Sequence, residues 1–84
     1  MTATELPSAG EYAALGRALK ALRRRAGLTQ VEAAETAGIR STFVSQIERG
    51  QRGARWHTLQ ALLRAYHADL RTLQEHIERA EAQD

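Results

Sequence analysis

The sequence predicts a compact all-α domain built from five short helices. Ala, Leu, Arg and Glu dominate its 84 residues, only one proline is present, and glycines separate segments of helical periodicity. A chain of this length forms at most one domain with a modest core. We expect residues 1–8 to form a flexible tail, residues 9–74 the folded domain, and residues 75–84 a helical end available for a dimer or partner contact.

The first helix is predicted to begin near Ser8. Ser8 and Glu11 have the spacing of a capping box, in which the serine caps the helix. Apolar residues then recur at helical spacing, at Leu15, Ala18, Leu19 and Leu22. Gly27 is expected to end this helix, since glycine is the residue most often found just after a helix.

Two very short helices are predicted next, at residues 30–37 and at about residues 41–49. Thr29 and Glu32 form a second capping box, which starts the helix at Gln30. Gly38 stops this helix, and Gly50 follows the next one. We expect residues 50–53 to form a loop.

The fourth helix is predicted over about residues 55–66, with these apolar residues facing inward: Trp56, Leu59, Leu62, Leu63 and Tyr66. Asp69 can cap a fifth helix, in which apolar residues again recur at steps of three and four. We expect Leu70 and Leu73 to complete the core. Ile77 and Ala80 are expected to extend past the core as candidates for a dimer interface.

Composition and charge exclude several classes of protein. The chain has no cysteine, and its three histidines have no acidic or thiol partner at ligand spacing, so we expect no metal and no cofactor. No nucleophile stands beside a positioned base, and we expect no enzyme activity. The first ten residues have no basic side chain and no apolar run, so we expect neither a signal peptide nor a membrane span, and a cytoplasmic protein.

The charge is unevenly distributed along the chain. Residues 11–67 hold ten basic and four acidic residues, a net charge of +6, whereas residues 75–84 carry a net charge of −3. A basic body suits a polyanionic partner, although arginine-rich helices also serve simply to keep a surface solvated.

The most informative stretch is residues 30–49, where two short helices must cross through a tight turn. Ala34 provides the small residue that a close approach of the two helices needs. Gly38 provides the positive φ of the turn. Branched residues pack the second helix onto the first, at Ile39, Val44 and Ile47.

This stretch resembles the helix-turn-helix of the phage-repressor and Cro-like (XRE-type) DNA-binding family. The hallmarks are Leu28-Thr29-Gln30, Ala34, Gly38 and the run Val44-Ser45-Gln46-Ile47-Glu48-Arg49-Gly50, and the match extends over about residues 15–73. The resemblance implies a five-helix, λ-repressor-like domain whose third helix, about residues 41–49, lies in the major groove of double-stranded DNA.

The resemblance also implies a role for individual residues. Base contacts are expected from Ser41, Thr42 and Gln46. Contacts with the DNA backbone are expected from Gln30, Arg40, Phe43, Arg49, Arg52 and Arg55. Structural roles are expected for Arg23, Glu48, Ala34, Gly38, Val44 and Ile47, with Arg23 and Glu48 forming a buried pair between the first and third helices. Other roles remain open: Ser41 as a helix cap, Thr42 and Arg40 as solvated surface, and Phe43 as a packing residue.

The sequence departs from the family pattern at a few positions. Arg40 stands where a serine-like cap is usual, His67 where a glycine often ends the fourth helix, and Ala33 where leucine is common. A cap position occupied by arginine shifts the expected start of the third helix to Ser41.

Two functions are compatible with these patterns. The first is a transcriptional regulator, a repressor that binds a palindromic operator as a homodimer without a small-molecule ligand. The alternative is an antitoxin-type interaction module whose main role is to bind a partner protein through the acidic C-terminal end.

Overall fold

Five α-helices make up the part of the chain that the computed structural model describes, residues 9–83. They are α1 (Ala9–Arg25), α2 (Gln30–Ala37), α3 (Ser41–Glu48), α4 (Trp56–Ala65) and α5 (Leu70–Ala82). No strand occurs within these residues, which confirms the predicted all-α class. The predicted tail, the capping role of Ser8 and the residue Asp84 lie outside the described residues.

The core forms where α1 packs against α3 and α5, and where α2 packs against α3 and α4. Its largest fully buried side chains are Leu19, Leu22, Val44, Ile47 and Leu62. Ala33 is completely buried in this core. No helix among the described residues has the length and apolar character needed to cross a bilayer.

The starts of α2 and α5 are fixed by side-chain caps, as the sequence predicts. Thr29 Oγ1 accepts a hydrogen bond from the N–H of Glu32 at 3.1 Å, and Glu32 Oε1 accepts one from the N–H of Thr29 at 2.9 Å. Asp69 Oδ1 accepts a hydrogen bond from the N–H of Thr72 at 2.8 Å. These bonds satisfy amide groups that have no partner within a helix.

The first four helices end in one shared pattern of two backbone hydrogen bonds. The N–H of the residue that begins the pattern reaches the carbonyl three positions back, and the next N–H reaches the carbonyl five positions back. The residues that begin this pattern are Gly27, Gly38, Gly50 and His67. His67 adopts a φ of 53° there, the only positive φ of a non-glycine residue in the described chain. It stands at the position where the related family often has glycine.

Two residues predicted to face inward are exposed instead. Trp56 and Leu70 have 55% and 51% of their surface accessible. Each continues the apolar periodicity of its helix, but each is the first residue of that helix, where the neighbouring helices no longer cover it.

The sequence predicts that the C-terminal half of α5 extends past the core, whereas in the structure it packs against α1. Ala80 is 6% exposed and Ile77 packs against the core, because α5 lies along the 17-residue α1 beyond Leu73. The expectation that Ile77 and Ala80 extend past the core is therefore wrong. Their side chains already pack within one chain, and this packing does not favour a dimer contact through them. The dimer contact stays a prediction.

Candidate nucleic-acid interface

The turn between α2 and α3 holds the two helices in a fixed relation. Gly38 adopts a φ of 75° and a ψ of 32°, a left-handed conformation that costs little only for glycine. Its N–H donates to the carbonyl of Glu35, and the N–H of Ile39 donates to the carbonyl of Ala34. Ala34 is 3% exposed and belongs to the core on which α2 and α3 pack.

One side of α3 is buried and the opposite side is open. Val44 and Ile47 are each 1% exposed and hold the helix on the core. With 3.6 residues per turn, the side chains of Thr42, Gln46 and Arg49 lie on the far side of the helix, and all three are partly or fully exposed. Ser41 and Ser45 flank them and are partly exposed. We call Ser41, Thr42, Ser45, Gln46 and Arg49 the outer face of α3.

Ser45 is the member of the outer face that was not predicted from the sequence. Its signal was present in the spacing, because Ser45 follows Ser41 by four residues and therefore lies above it on the same side of the helix.

The start of α3 is set by Arg40. Arg40 has extended backbone angles, its carbonyl accepts the first hydrogen bonds of the helix, and its side chain makes no capping bond. Ser41 is thus the first residue of α3, and its alternative role as the helix cap is wrong. The first turn of α3 contains no acidic residue.

Phe43 and Gln46 are joined by a residue from the next loop. The guanidinium carbon of Arg52 lies 4.2 Å from the centre of the Phe43 ring, within the range of a cation–π contact. Nη1 of the same Arg52 donates a hydrogen bond to Oε1 of Gln46 at 3.3 Å. Phe43 itself is partly buried and packs against the core, which agrees with its alternative role as a packing residue.

The inner end of α3 is anchored by a buried ion pair. Glu48 accepts hydrogen bonds from Nε of Arg23 at 2.6 Å and from Nη2 of Arg23 at 3.1 Å, and both residues are 8% exposed. Nη1 of Arg23 donates to the carbonyl of Leu28 at 2.7 Å. The bond to Glu48 raises the pKa of Arg23 above its ordinary value, although burial acts in the opposite direction. The bidentate contact with Glu48 ties α3 to α1, and the bond to Leu28 ties α1 to the segment before α2.

Gln30 is the third partner of Glu48. Its Nε2 donates to Glu48 Oε1 at 3.0 Å, so the side chain that was expected at a DNA phosphate is also part of the anchor. An amide nitrogen carries two hydrogens, and the bond to Glu48 uses one of them.

Gly16 permits α1 to cross the end of α3, a requirement that was not predicted from the sequence. A Cβ atom at this position would lie 2.6 Å from the carbonyl oxygen of Glu48, and it would also meet the carbonyl oxygen of Ile47. Real Cβ atoms do not approach backbone oxygens so closely. The close crossing of α1 and α3 therefore depends on the absence of a side chain at Gly16.

Positive charge predominates in the segment that contains α3, because the one acidic residue of this segment is already paired. Between residues 36 and 68 the one acid is Glu48, which Arg23 neutralises. The arginines around the ends of α3 and in the following loop are exposed, at Arg40, Arg49, Arg52 and Arg55. The outer face of α3 thus combines hydrogen-bonding side chains with uncompensated positive charge.

Comparison with known proteins identifies the domain. A sequence profile described as a helix-turn-helix domain matches residues 14–77. The chain belongs to this helix-turn-helix family. Two crystal structures of the clp gene regulator ClgR from Corynebacterium glutamicum resemble the fold of this helix-turn-helix chain. One has a TM-score of 0.79 at 25% identity and covers 92% of this chain and 96% of that chain. The other has a TM-score of 0.81 at 26% identity and covers 86% of this chain and 77% of that chain.

No curated protein sequence matches this helix-turn-helix chain. The profile and the two structures confirm the resemblance to XRE-type helix-turn-helix proteins and the five-helix architecture. They also support the class of DNA-binding transcriptional regulators.

Proposed function

We propose that this chain is a transcriptional repressor that reads operator DNA with the outer face of α3. The observation that carries the proposal is the combination found on that helix: Thr42 and Gln46 point away from the core, and Glu48, the one acidic residue of α3, is paired with Arg23. Gln46 can pair with an adenine edge in the major groove, and Ser41 and Thr42 can bond to bases or contact a thymine methyl group.

The contacts that position α3 on the duplex come from the charged residues around it. Arg40, Arg49 and Arg55 are exposed at the ends of α3 and at the start of α4, where they can reach the phosphates on both sides of a groove. Gln30 adds a contact from the start of α2 with the hydrogen that Glu48 does not use. Gln30 also bonds to Glu48, so a phosphate bound by Gln30 would be linked through that one side chain to the ion pair that anchors α3.

The proposed repressor works as a homodimer on a two-fold-related site. One helix of eight residues contacts only a few base pairs, too few for a selective site. Two copies placed about one helical turn of DNA apart double the contacts and make the operator palindromic. A dimer bound over a promoter represses by occupying it.

Selection from a random pool of duplex DNA tests the proposal directly. We expect enrichment of a sequence with two inverted half-sites, and an observed affinity that falls steeply with salt. Arg55→Ala should lower the slope of log affinity against log salt by about one unit, whereas Arg71→Ala, at an exposed position on α5, is the matched control and should leave it unchanged. A pool that stays random, with weak binding at all salt concentrations, would contradict the proposal.

A partner protein is the second candidate, and it is favoured by the surface of α5. Glu75, Glu78 and Glu81 are exposed on this helix, which packs against α1. An antitoxin-type module would use this acidic surface to dock a basic protein. The selection experiment separates the two functions, since a module of this kind requires no preference among DNA sequences.

A further inference from the structure

Arg52 lies in the loop between α3 and α4, yet its guanidinium contacts two side chains of α3. It lies over the ring of Phe43 at 4.2 Å, and it donates a hydrogen bond to Gln46 Oε1 at 3.3 Å. Phe43 and Gln46 are three positions apart and are therefore neighbours on the helix surface. We propose that Arg52 is a specificity-determining residue, which positions the amide of Gln46 for one base rather than only binding a phosphate. This inference rests on the proposed function.

The hydrogen bond selects one of two orientations of the Gln46 amide. An amide group can rotate by half a turn and exchange its acceptor oxygen with its donor nitrogen. With one lone pair of Oε1 bonded to Arg52, Nε2 and the second lone pair of Oε1 remain available together. Adenine requires this combination, because its N7 accepts a hydrogen bond and its N6 donates one. Without Arg52, the amide can also present its oxygen or nitrogen alone to other bases.

Phe43 keeps the guanidinium in place for this task. Its ring packs against the core, so it is a fixed surface, whereas Arg52 itself is exposed. A planar guanidinium can lie on the ring and still direct its N–H groups sideways in the plane. One of its five N–H groups is used on Gln46, and the others remain able to contact a phosphate. Charge and positioning are thus combined in one side chain, and a suitable variant can separate them.

Arg52→Lys is that variant. Lysine keeps the positive charge, but it lacks the planar fork that lies on Phe43 and reaches Gln46. We expect Arg52→Lys to keep the affinity for random DNA within about twofold. The slope of log affinity against log salt should stay the same, because the charge is kept. The preference for the Gln46 base over its three alternatives should fall about tenfold. Phe43→Leu, which removes the ring but keeps an apolar side chain, should reduce the same preference in the same direction.

The matched control is Arg64→Lys. Arg64 is exposed on α4 and is not among the proposed DNA contacts, so the change removes a guanidinium of the same kind without touching Gln46. We expect this variant to keep the base preference of the wild type. In the Gln46→Ala background, Arg52→Lys should reduce the preference no further, since its effect acts through Gln46. Thermal unfolding of each variant verifies that the fold is retained.

The outcomes separate this inference from the proposed function. A wild-type chain with no base preference would contradict the proposed function itself. A wild-type chain with a clear preference that Arg52→Lys leaves intact, or reduces equally with and without Gln46, would overturn the positioning role. Loss of preference in Arg52→Lys alone, with Arg64→Lys unchanged, would support it.

Discussion

The carboxylate of Glu48 and the guanidinium of Arg23 form a two-point contact that joins the end of α3 to α1, with N–O distances of 2.6 and 3.1 Å. Both side chains are almost fully buried, at 9% and 3% exposure for Arg23 and Glu48. Gln30 adds a third bond to the same carboxylate. The orientation of α3, the proposed recognition helix, thus depends on three side chains that are not part of its outer face.

Arg23→Ala should lower the free energy of unfolding by about 3–5 kcal/mol, because it leaves the buried carboxylate of Glu48 without its charge partner. Urea denaturation of both proteins measures the change. Arg24→Ala, an exposed neighbour on α1, is the control and should change stability by less than about 0.5 kcal/mol. If Glu48→Ala is added, the double variant should lose much less than the sum of the two single losses. Additive losses would show that the pair is not coupled.

Gly16→Ala should destabilise the fold by about 1–3 kcal/mol, because the new methyl group would meet the backbone of Ile47 and Glu48. The sign is diagnostic, since replacing glycine by alanine inside an ordinary helix stabilises a protein by about 0.5–1 kcal/mol. Denaturant unfolding decides between the two. A more stable variant would mean that α1 and α3 do not cross as closely as the structure shows.

His67→Gly should stabilise the fold by about 0.5–1 kcal/mol. The φ of 53° at His67 is unfavourable for a residue with a Cβ atom and ordinary for glycine. His57→Gly is the matched control, because His57 is exposed within α4, and glycine should cost a few tenths of a kcal/mol there. Melting temperatures of the two variants should therefore move in opposite directions, and a fall in both would exclude strain at His67.

The cap of α5 should make stability depend on pH in acid. The N–H of Thr72 bonds to the carboxylate of Asp69 and holds its pKa below the ordinary value. Since the folded-state pKa lies below the unfolded one of about 4, the cap stabilises the fold above that pH. This contribution is lost as the pH falls through the folded-state pKa.

Asp69→Asn keeps an oxygen that can cap the helix but removes the titration. Its melting temperature should therefore fall less steeply between about pH 5 and pH 2 than that of the wild type. Glu81→Gln, at an exposed position on α5, is the control and should keep the wild-type slope. Equal slopes for wild type and Asp69→Asn would show that the cap does not titrate with folding.

The sequence predicted the helix boundaries well because the signals that set them are local. Thr29, Gly38 and Asp69 act within four residues of themselves, through a capping bond or a backbone angle. The same locality explains the prediction of the turn before α3. The exposed first residues Trp56 and Leu70 were placed wrongly, because periodicity shows which side of a helix is apolar but not how far a neighbouring helix extends over it.

The features that the sequence did not reveal depend on contacts in three dimensions that no sequence pattern marks. Gly16 is needed because of backbone oxygens about thirty positions later, and a glycine inside a helical pattern carries no mark of that need. The resemblance implied the same DNA-backbone role for Arg52 as for Arg49 and Arg55, and only its placement beside Phe43 and Gln46 distinguishes it from them. The net charge of a segment can be counted from its sequence. A hydrogen bond depends on the relative positions and directions of two groups, which the sequence does not show.

The most direct test of the central claim, that the outer face of α3 reads bases, compares wild type and Gln46→Ala on the selected operator and on its single-base variants. Gln46→Ala should lose about 1–3 kcal/mol of affinity for the operator, and its preference should relax at one base position of each half-site. Gln74→Ala, an exposed glutamine on α5, should leave both quantities unchanged. An unaltered base preference in Gln46→Ala at every position would contradict the claim.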